Sequence, residues 1–369
     1  MQIGLKKLDW YIIKKYWGSF FFTAFLFTLI ALVIDFSEKA EKFVEASKTL
    51  SVPQILLQYQ LNYIPFINGL LWPVFSLISV IFFTSRLAYN SEIISILNAG
   101  VSFKRLLLPY LVAASSLVVL LLLANHYIIP LANKPKLDFE RLYIKRDGEK
   151  RSSGTSMHFF IAPDTKVYLR SYSPSDSMGY TFRLERFEGT TLVSMLKSQF
   201  IEWSHKTHDR WTIKDYEIRT YKDSVENIEI FTGQELDTVL NMLPSDFEFY
   251  VKQKDLMTTP QLQALVRKEQ SRGLNPIKGY ITEIYRRTAD PFTIIILTII
   301  GVAIAARKVR GGMGLHLAIG ISIGAIFVFI SKFSVVFSRD PNIPSIVGIW
   351  LPNIVFGVVA WVMVRRAQE

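Results

Sequence analysis

Long runs without a charged residue dominate both ends of the chain. Windows free of Asp, Glu, Lys and Arg cover residues 16–34, 49–85, 106–133, 291–306, 311–331 and 341–364. A helix needs about 20 apolar residues to cross roughly 30 Å of hydrocarbon, and five of the windows are long enough by themselves. The window 291–306 is short, but Ala289 and a snorkelling Arg307 extend it. We therefore predict six transmembrane helices, three on each side of a polar middle segment.

Two of these windows need a closer interpretation. The window 49–85 is too long for one span, so we predict that its first part, with Pro53, approaches along the membrane interface. The span itself is then about 60–85, kinked near Pro65 or Pro73. The first window does not predict a cleavable signal peptide, because its apolar run is too long and charged residues stand where a small-residue cleavage site is needed.

The middle segment changes to a pattern of period two, broken by Gly, Pro, Asp and Ser. Short antiparallel strands spaced by about ten residues are typical of a sandwich, a jelly roll or an open barrel. After them, Pro260–Arg272 has helical periodicity, with Thr258 or Thr259 as a cap and Gly273 as a stop. The predicted strands are 157–162, 166–172, 180–187, 199–203, 211–221 and 227–231.

The predicted fold class is thus an α-helical multi-pass membrane protein with an inserted all-β domain. Its first part contains the first three spans and a short loop helix at about 90–100, and its last part contains the other three spans. The predicted boundaries are 1–134 for the first three spans, 135–256 for the β domain, 257–287 for a linker helix and 288–369 for the last three spans.

Composition and charge support a membrane protein. The chain has 369 residues, is 50% hydrophobic and has a formal net charge of +11. The segment 138–290 contains equal numbers of basic and acidic residues, so the excess flanks the apolar runs. A nucleic-acid-binding protein would carry this excess on a folded polar domain, so we predict no nucleic-acid partner. With no cysteine, disulfide frameworks, thiolate metal sites and thiol nucleophiles are excluded.

The distribution of Lys and Arg predicts the orientation. With a cytoplasmic N-terminus, the inner loops contain twelve basic residues and the short outer loops contain five, or nine if the flanks of the β domain are counted. Positive charge accumulates in short cytoplasmic loops. We therefore expect both termini in the cytoplasm and 135–287 outside it.

No residue pattern indicates catalysis or a metal ion. A phosphate-binding loop needs a Lys followed by Ser or Thr, and the nearest imitation, Arg310–Gly314, is interpreted as a tight cytoplasmic turn. His205 and His208 have a helical metal-ligand spacing, but they lie between two strands and no third ligand is close. We interpret them as a polar hairpin tip, and His126 and His316 as structural. We expect no catalytic residue, no metal and no cofactor held by this chain.

The loop between the second and third spans predicts a short amphipathic helix. Ser91 is its expected N-cap and Gly100 its expected end. The helix either rests on the membrane surface or inserts into a groove of a soluble partner, with Glu92 as a charged contact. Its apolar face consists of Ile93, Ile96 and Leu97.

Charged residues also mark the outer ends of two spans. Asp35, Lys39 and Lys42 continue the first span outward, and the two lysines, three residues apart, share a helix face. Lys332 lies at the outer end of the fifth span, with Arg339 beyond it. The simple interpretation is a solvated helix extension with Glu–Lys pairs. The functional alternative is a cationic collar for the head group of an anionic lipid.

In their order, the motifs of this chain resemble those of the lipopolysaccharide export permease family, the LptF/LptG type. The resemblance covers nearly the whole chain. It is carried by Leu8-Asp9-x-Tyr11-Ile12, Ser91-Glu92-Ile93 with Ala99-Gly100-x-Ser102, Trp211-x-Ile213, Met257 with Leu262 and Gly273, Arg287 with Pro291, Arg310-Gly311-Gly312-x-Gly314, and Trp350-Leu351-Pro352-Asn353.

This resemblance implies a half-transporter of the cell inner membrane. It implies a second permease of the same type, a cytoplasmic ATPase dimer that uses ATP and Mg, a single-span periplasmic subunit of the LptC type, and lipopolysaccharide as substrate. The helix Ser91–Gly100 would be the coupling helix, with Glu92 contacting the ATPase. Spans one and five would line the cavity and its lateral gate, and the periplasmic β-jelly-roll-like domain would pass the lipid onward.

One position departs from the family, because some members have a basic residue where this chain has Asp35. The leading Leu8-Asp9-x-Tyr11 resembles the LptG side. Two other functions stay open. A lipoprotein-release-type permease, or the permease of another lipid exporter, would have a different span count around its soluble domain. A non-transporting periplasmic adaptor would tolerate Glu92→Ala.

Overall fold

A computed structural model describes residues 6–144, 156–173, 176–204, 210–222, 225–247, 253–272, 278–307, 312–340 and 342–368. The chain divides into two compact units. The membrane unit comprises Met1–Ile144, Leu256–Thr259 and Lys278–Glu369, and the β unit comprises Lys145–Asp255 and Pro260–Ile277. The interpretations of His205, His208 and Gly273 lie outside the described residues. Of the turn predicted at Arg310–Gly314, the first two residues also lie outside them, but Gly312–Gly314 form the first turn of a helix, so the turn prediction is wrong there.

The membrane unit contains the six predicted spans, which confirms the fold class together with the inserted sheet. Within the described residues, six helices are long and apolar enough to cross a membrane. The fourth span is the most enclosed, with 61% of its apolar window buried, and it packs against the second, third and sixth spans. The spans are α1 (Lys7–Glu38), α4 (Leu61–Tyr89), α6 (Phe103–Leu123), α10 (Lys278–Ala305), α11 (Gly312–Phe337) and α12 (Ser345–Gln368).

The second span begins earlier than predicted. Helix α3 (Val52–Ile55) and a π turn (Leu56–Gln60) lead directly into α4, so the segment with Pro53 is continuous with the span, and its position at the membrane interface stays a prediction. Its start is stabilised by a capping box, in which the backbone N–H of Ser51 donates to Gln54 Oε1 at 2.9 Å. Pro53 fits this first turn because no helical partner is needed there for its missing N–H.

The third span is also longer than its apolar window. A π turn (Ala124–Ile128) joins α6 to α7 (Ile129–Phe139), and a second π turn (Glu140–Ile144) follows. The predicted boundary at 134/135 therefore falls inside a helix, and the compact β unit begins at Lys145. The charged residues after 133 lie on the protruding part of this helix, so charge alone does not mark its end.

Prolines inside the spans are compensated by polar side chains of neighbouring helices. Pro291 lacks the N–H that would bond the carbonyl of Arg287. The side-chain amide of Asn125 donates to this carbonyl instead, at 3.3 Å. At Pro352 the hydroxyl of Ser334 donates to the carbonyl four residues earlier. Such replacement bonds allow proline within a span, where an unpaired carbonyl is costly.

The β unit is a six-stranded antiparallel meander in which each strand pairs with the next in sequence. All six predicted strands are present, and the fourth and sixth are longer than predicted. The connectivity is that of a meander, without the Greek-key crossings of a strict jelly roll. The strands are β1 (Met157–Ala162), β2 (Thr165–Ser173), β3 (Met178–Glu188), β4 (Thr191–Trp203), β5 (Arg210–Lys222) and β6 (Val225–Val239).

One face of this sheet forms an apolar core around Trp211. The Trp211 side chain is fully buried, and its indole N–H donates to the carbonyl of Met242 at 3.0 Å. This bond satisfies the polar atom of a large buried ring. The core is completed by Val167, Leu169, Phe182, Ile201, Ile213 and Phe247.

The β unit also contains an ion-pair network at the end of a helix. Helix α8 (Gln253–Leu256) precedes α9 (Thr259–Ser271), and α9 confirms the helix predicted from Pro260. The Arg272 side chain is buried and donates to Asp246 Oδ2 at 2.7 Å, while Lys268 donates to Asp246 Oδ1 at 2.9 Å. Burial raises the pKa of the Asp246 carboxyl, but these hydrogen bonds outweigh it and hold the pKa below its usual value.

Candidate functional site

The predicted loop helix is present as α5 (Glu92–Asn98). It ends as expected, since Gly100 has a φ of +82°, a left-handed conformation that glycine adopts without strain. Its beginning differs from the prediction. Ser91 has a φ of 61° and its side chain makes no capping bond, because the chain reverses so tightly after α4 that this residue is itself left-handed. The hydroxyl of Ser95 donates to the Ser91 carbonyl at 2.9 Å.

The apolar face of α5 packs on the membrane unit itself. Ile93 is fully buried, and Ile96 and Leu97 pack against the same core, which includes Leu87 and Leu106. Ile93 is therefore fully covered by the chain itself, whereas Ile96 and Leu97 remain partly exposed. The opposite side of α5 is exposed, including Ser95 and Asn98.

Glu92 has a partner within the chain. The hydroxyl of Tyr11, on α1, donates to Glu92 Oε2 at 3.0 Å. This bond joins the first residue of α5 to the first span, across 81 positions of sequence. A carboxylate offers about four acceptor sites, so the single bond from Tyr11 leaves Glu92 able to accept further hydrogen bonds.

A buried ion pair holds the same end of the unit together. Arg105 donates from Nη1 to Asp9 Oδ1 at 2.7 Å and from Nη2 to Asp9 Oδ2 at 2.6 Å. Asp9 is only 2% exposed, and it also accepts from the backbone N–H of Lys6 at 2.7 Å. The pair joins the start of α1 to the start of α6, where Ser102 caps the backbone N–H of Arg105. In the sequence, Asp9 stands out only as a motif position, and no spacing indicates Arg105 as its partner.

At the other end of α1, the structure brings Asp35 and Lys39 together. Lys39 lies at the break between α1 and α2 (Ala40–Ala46), and its ammonium donates to Asp35 Oδ1 and to the Tyr59 hydroxyl. Lys42 is half-buried and makes no ion pair in the described part of the chain. Because Lys39 is already neutralised by Asp35, the two lysines do not form a matched cationic pair. Their contact with lipid stays a prediction.

A second lysine of this region was not predicted from the sequence. Lys136, on α7, is buried with its ammonium 3.6 Å from the ring centre of Phe66 and 5.8 Å from that of Tyr63. Its Nζ lies 3.5 Å from Glu140 Oε1. The spacing of Lys136 and Glu140, one helical turn apart, was the available signal, but the charge-free window ended before it.

The remaining two predicted cations lie apart from this cluster. Lys332 lines a small cavity of about 60 Å³ between α4, α10 and α11, together with Arg286 and Asp290. Arg286 lies 3.8 Å from Asp290 and bonds Glu283 at 2.9 Å. Arg339 follows the end of α11 and is exposed. Asp35, Lys39 and Lys42 do not line this cavity.

The first and fifth spans are the least covered by the rest of the chain. Of their apolar windows, 28% is buried for α1 and 22% for α11, less than for the other four spans. Large apolar side chains are exposed along both helices, among them Phe22, Phe25 and Val33 on α1 and Phe329 and Val336 on α11.

The intramembrane histidines are engaged in hydrogen bonds. His126 Nδ1 lies 2.8 Å from the hydroxyl of Thr259, and His316 Nδ1 lies 2.9 Å from that of Ser85. Among the described residues, no group of three or more His, Asp or Glu side chains could hold a metal ion.

Motif residues act as polar ties between spans. The side-chain amide of Asn353 donates to the carbonyl of Ala289 at 2.9 Å and accepts from the hydroxyl of Thr293. Arg287 donates to the carbonyl of Met257 at 2.8 Å, within the membrane unit. These motif residues are far apart in the sequence, and their hydrogen bonds hold neighbouring helices of the membrane unit together.

Comparison with known proteins agrees with this architecture. A comparison with curated proteins gives no match. The family described as "Lipopolysaccharide export system permease LptF/LptG" matches residues 10–366. Since this match covers all six spans and the inserted sheet between the third and fourth, the chain belongs to the LptF/LptG family of lipopolysaccharide export permeases of the inner membrane.

Proposed function

We propose that this chain is the permease half of an ABC transporter that extracts lipopolysaccharide from the inner membrane and passes it to a periplasmic bridge. The observation that carries this proposal is the exposed apolar surface of α1 and α11, the two least buried spans. A second LptF/LptG-type permease would complete the cavity and its lateral gate against these helices. A cytoplasmic ATPase dimer with ATP and Mg, and a single-span LptC-type subunit, would complete the machine.

The energetics of lipid extraction support a permease that works with a separate ATPase. Removing acyl chains from a membrane costs about 0.8 kcal/mol for each CH₂ exposed to water. A cavity lined by exposed side chains such as Phe25 and Phe329 keeps the chains in apolar surroundings. The remaining work needs an external energy source, and the proposed ATPase supplies it.

We further propose that both termini and α5 are cytoplasmic. The basic residues Lys14, Lys15, Arg86 and Lys104 lie on the same side of the spans as α5. Short loops rich in Lys and Arg are retained in the cytoplasm. Under this orientation, the exposed side of α5 faces the ATPase and the β unit is periplasmic.

At the outer side, the exposed cations are the better lipid contacts. Lys332 and Arg339 are exposed, and a free ammonium or guanidinium binds a phosphate through charge-assisted hydrogen bonds. Lys39 is bound to Asp35 and Lys42 is half-buried, so we expect Lys332 and Arg339 to contribute more to head-group binding than these two lysines.

The sheet provides a place for acyl chains. Val167, Leu184, Leu196 and Ile218 are paired in register across β2 to β5 and form one apolar row. Val167 is fully buried, but the other three are only partly buried. The row therefore runs from a sealed end to an open end, and we propose that acyl chains of the lipid occupy the open end.

A photo-crosslinking residue at Leu196 should capture lipopolysaccharide in cells during transport. The same residue at Met195 is the matched control, because successive strand residues point to opposite faces of a sheet. We expect crosslinks at position 196 to be at least tenfold more abundant than at 195. Equal crosslinking yields at both positions would contradict the proposal that acyl chains occupy the open end of this row.

Affinity purification of the full chain in mild detergent, followed by mass spectrometry, tests the proposed function. We expect a second six-span permease, a soluble ATPase and lipid A species in the same sample. A lone chain, or one with periplasmic proteins only, would favour the adaptor. A lipoprotein in place of lipid A would favour a lipoprotein exporter.

A further inference from the structure

A large cavity opens in the membrane unit at the end that carries α5. It has a volume of about 610 Å³ and lies between α1, the end of α4 and the first residue of α5. This volume is in the range of pockets that bind small molecules. One end is lined by Lys14, Lys15 and Arg86, and the other end is lined by Phe22 and Phe82.

The charged end has an uncompensated positive charge. Lys14, Lys15 and Arg86 make no ion pair within the ranges of the chain that the structure describes. Lys15 lies 5.5 Å from the ring centre of Tyr11. The lining contains one carboxylate, Glu92, and this already accepts from Tyr11. The charge of this end is therefore complementary to an anion.

The position of the cations along the spans indicates the depth of that anion. Lys15 directly precedes the charge-free window 16–34, and Arg86 directly follows the window 49–85. The cations thus lie where the hydrocarbon ends and phosphate groups of lipids begin. Phe22 lies about 10 Å further along α1, at 1.5 Å for each residue. The apolar end of the cavity therefore lies within the hydrocarbon.

The wall between the two ends is made of small residues. Gly18 and Ser19 line the cavity at the middle of its length. A Cβ atom built at Gly18 would have no atom within 4 Å. Gly18 therefore leaves open space between the charged end and the phenylalanines.

We propose that this cavity binds an anionic glycerophospholipid of the surrounding leaflet. Its phosphate would be held by Lys14, Lys15 and Arg86, and one acyl chain would lie over Gly18 towards Phe22. A free phosphate ion would leave the apolar half unused, and a zwitterionic lipid would leave the net positive charge uncompensated. The bound lipid would bridge α1 and α4 next to Glu92, the first residue of α5.

The test is native mass spectrometry of the purified full chain in detergent, with phosphatidylglycerol, phosphatidylcholine or lipopolysaccharide added at equal molar ratio. We expect one tightly bound phosphatidylglycerol. Each Lys or Arg near a membrane surface contributes to the attraction of anionic lipid, so Lys14→Gln, Lys15→Gln and Arg86→Gln together should weaken this binding at least about tenfold.

The matched control removes the same charge from the same end, outside the cavity. Lys7→Gln, Lys104→Gln and Arg366→Gln together should leave phosphatidylglycerol binding within about twofold. If both triple variants lose binding equally, general surface charge explains it and the proposed site is wrong.

A second variant keeps the charges and fills the cavity. Gly18→Leu places a side chain in open space, so it should fold and still reduce phosphatidylglycerol binding. Gly357→Leu, at a span glycine that is equally open, should have no effect. Unchanged binding in Gly18→Leu, equal binding of phosphatidylcholine, or displacement by lipopolysaccharide at equal concentration would each overturn the proposal.

Discussion

Arg105→Ala is expected to destabilise the membrane unit by roughly 1.5 kcal/mol, less than the cost of breaking a fully buried ion pair, because the Arg105 side chain is 37% exposed. The substitution leaves the Asp9 carboxylate, which is almost fully buried, with the backbone N–H of Lys6 as its hydrogen-bond donor. The measurement is the melting temperature of the full chain in detergent, followed by tryptophan fluorescence.

Two further variants separate the ion pair from general effects. Lys104→Ala removes a neighbouring exposed cation and should leave the melting temperature unchanged. The double variant Asp9→Ala with Arg105→Ala should be more stable than Arg105→Ala alone, because the unpaired buried charge is then absent. If Lys104→Ala and Arg105→Ala melt alike, the pair contributes nothing specific.

Glu92→Ala is expected to reduce the amount of ATPase that co-purifies with the chain at least about tenfold. A hydrogen bond to a charged group contributes about 1.5–3 kcal/mol, and Glu92 is the only carboxylate of α5. Its side chain is half-buried, so one oxygen remains available beside the bond to Tyr11. Lipopolysaccharide export should fall with the loss of ATPase.

Tyr11→Phe distinguishes a direct contact from a positioning effect. It removes the donor to Glu92 and keeps the carboxylate, so we expect ATPase recovery within about twofold of the parent chain. Ser95→Ala, on the exposed side of α5, is the matched control for a small change in the same helix. ATPase recovery that is unchanged by Glu92→Ala would instead support the adaptor function.

Local patterns predicted the elements of this fold well. Charge-free windows located all six spans, and period-two segments located all six strands, because both signals depend on neighbouring residues. The helical conformation of Val52–Gln60 was not predicted, and its cause is local as well. The length of the window suggested an interfacial segment, but the capping bond between Ser51 and Gln54 starts a helix there.

The candidate sites were predictable only in part. The loop helix followed from its own periodicity, but the partner of its apolar face did not. The pairs Asp9–Arg105 and Glu92–Tyr11 join residues 96 and 81 positions apart, and no sequence spacing indicates such contacts. Lys39 pairs with the nearby Asp35 and also bonds the distant hydroxyl of Tyr59. The sequence shows the two charges, but it does not show that they form an ion pair or that Tyr59 joins them.

The length of the second and third spans has a mechanical consequence. Val52–Tyr89 has 38 residues and Phe103–Ile144 has 42, so these rods are about 57 and 63 Å long at 1.5 Å for each residue. The hydrocarbon layer accounts for about 30 Å of either. Phe43 on α2, Tyr59 near the start of the second rod and Phe139 near the end of the third form one buried aromatic cluster that holds these parts together.

Because this cluster holds them together, we expect the two rods to tilt as one body. For a protruding length of about 30 Å, a tilt of about 10° displaces the far end by about 5 Å, the rise of one helical turn. We therefore expect any rearrangement of the spans that tilts these rods to be amplified at their far ends.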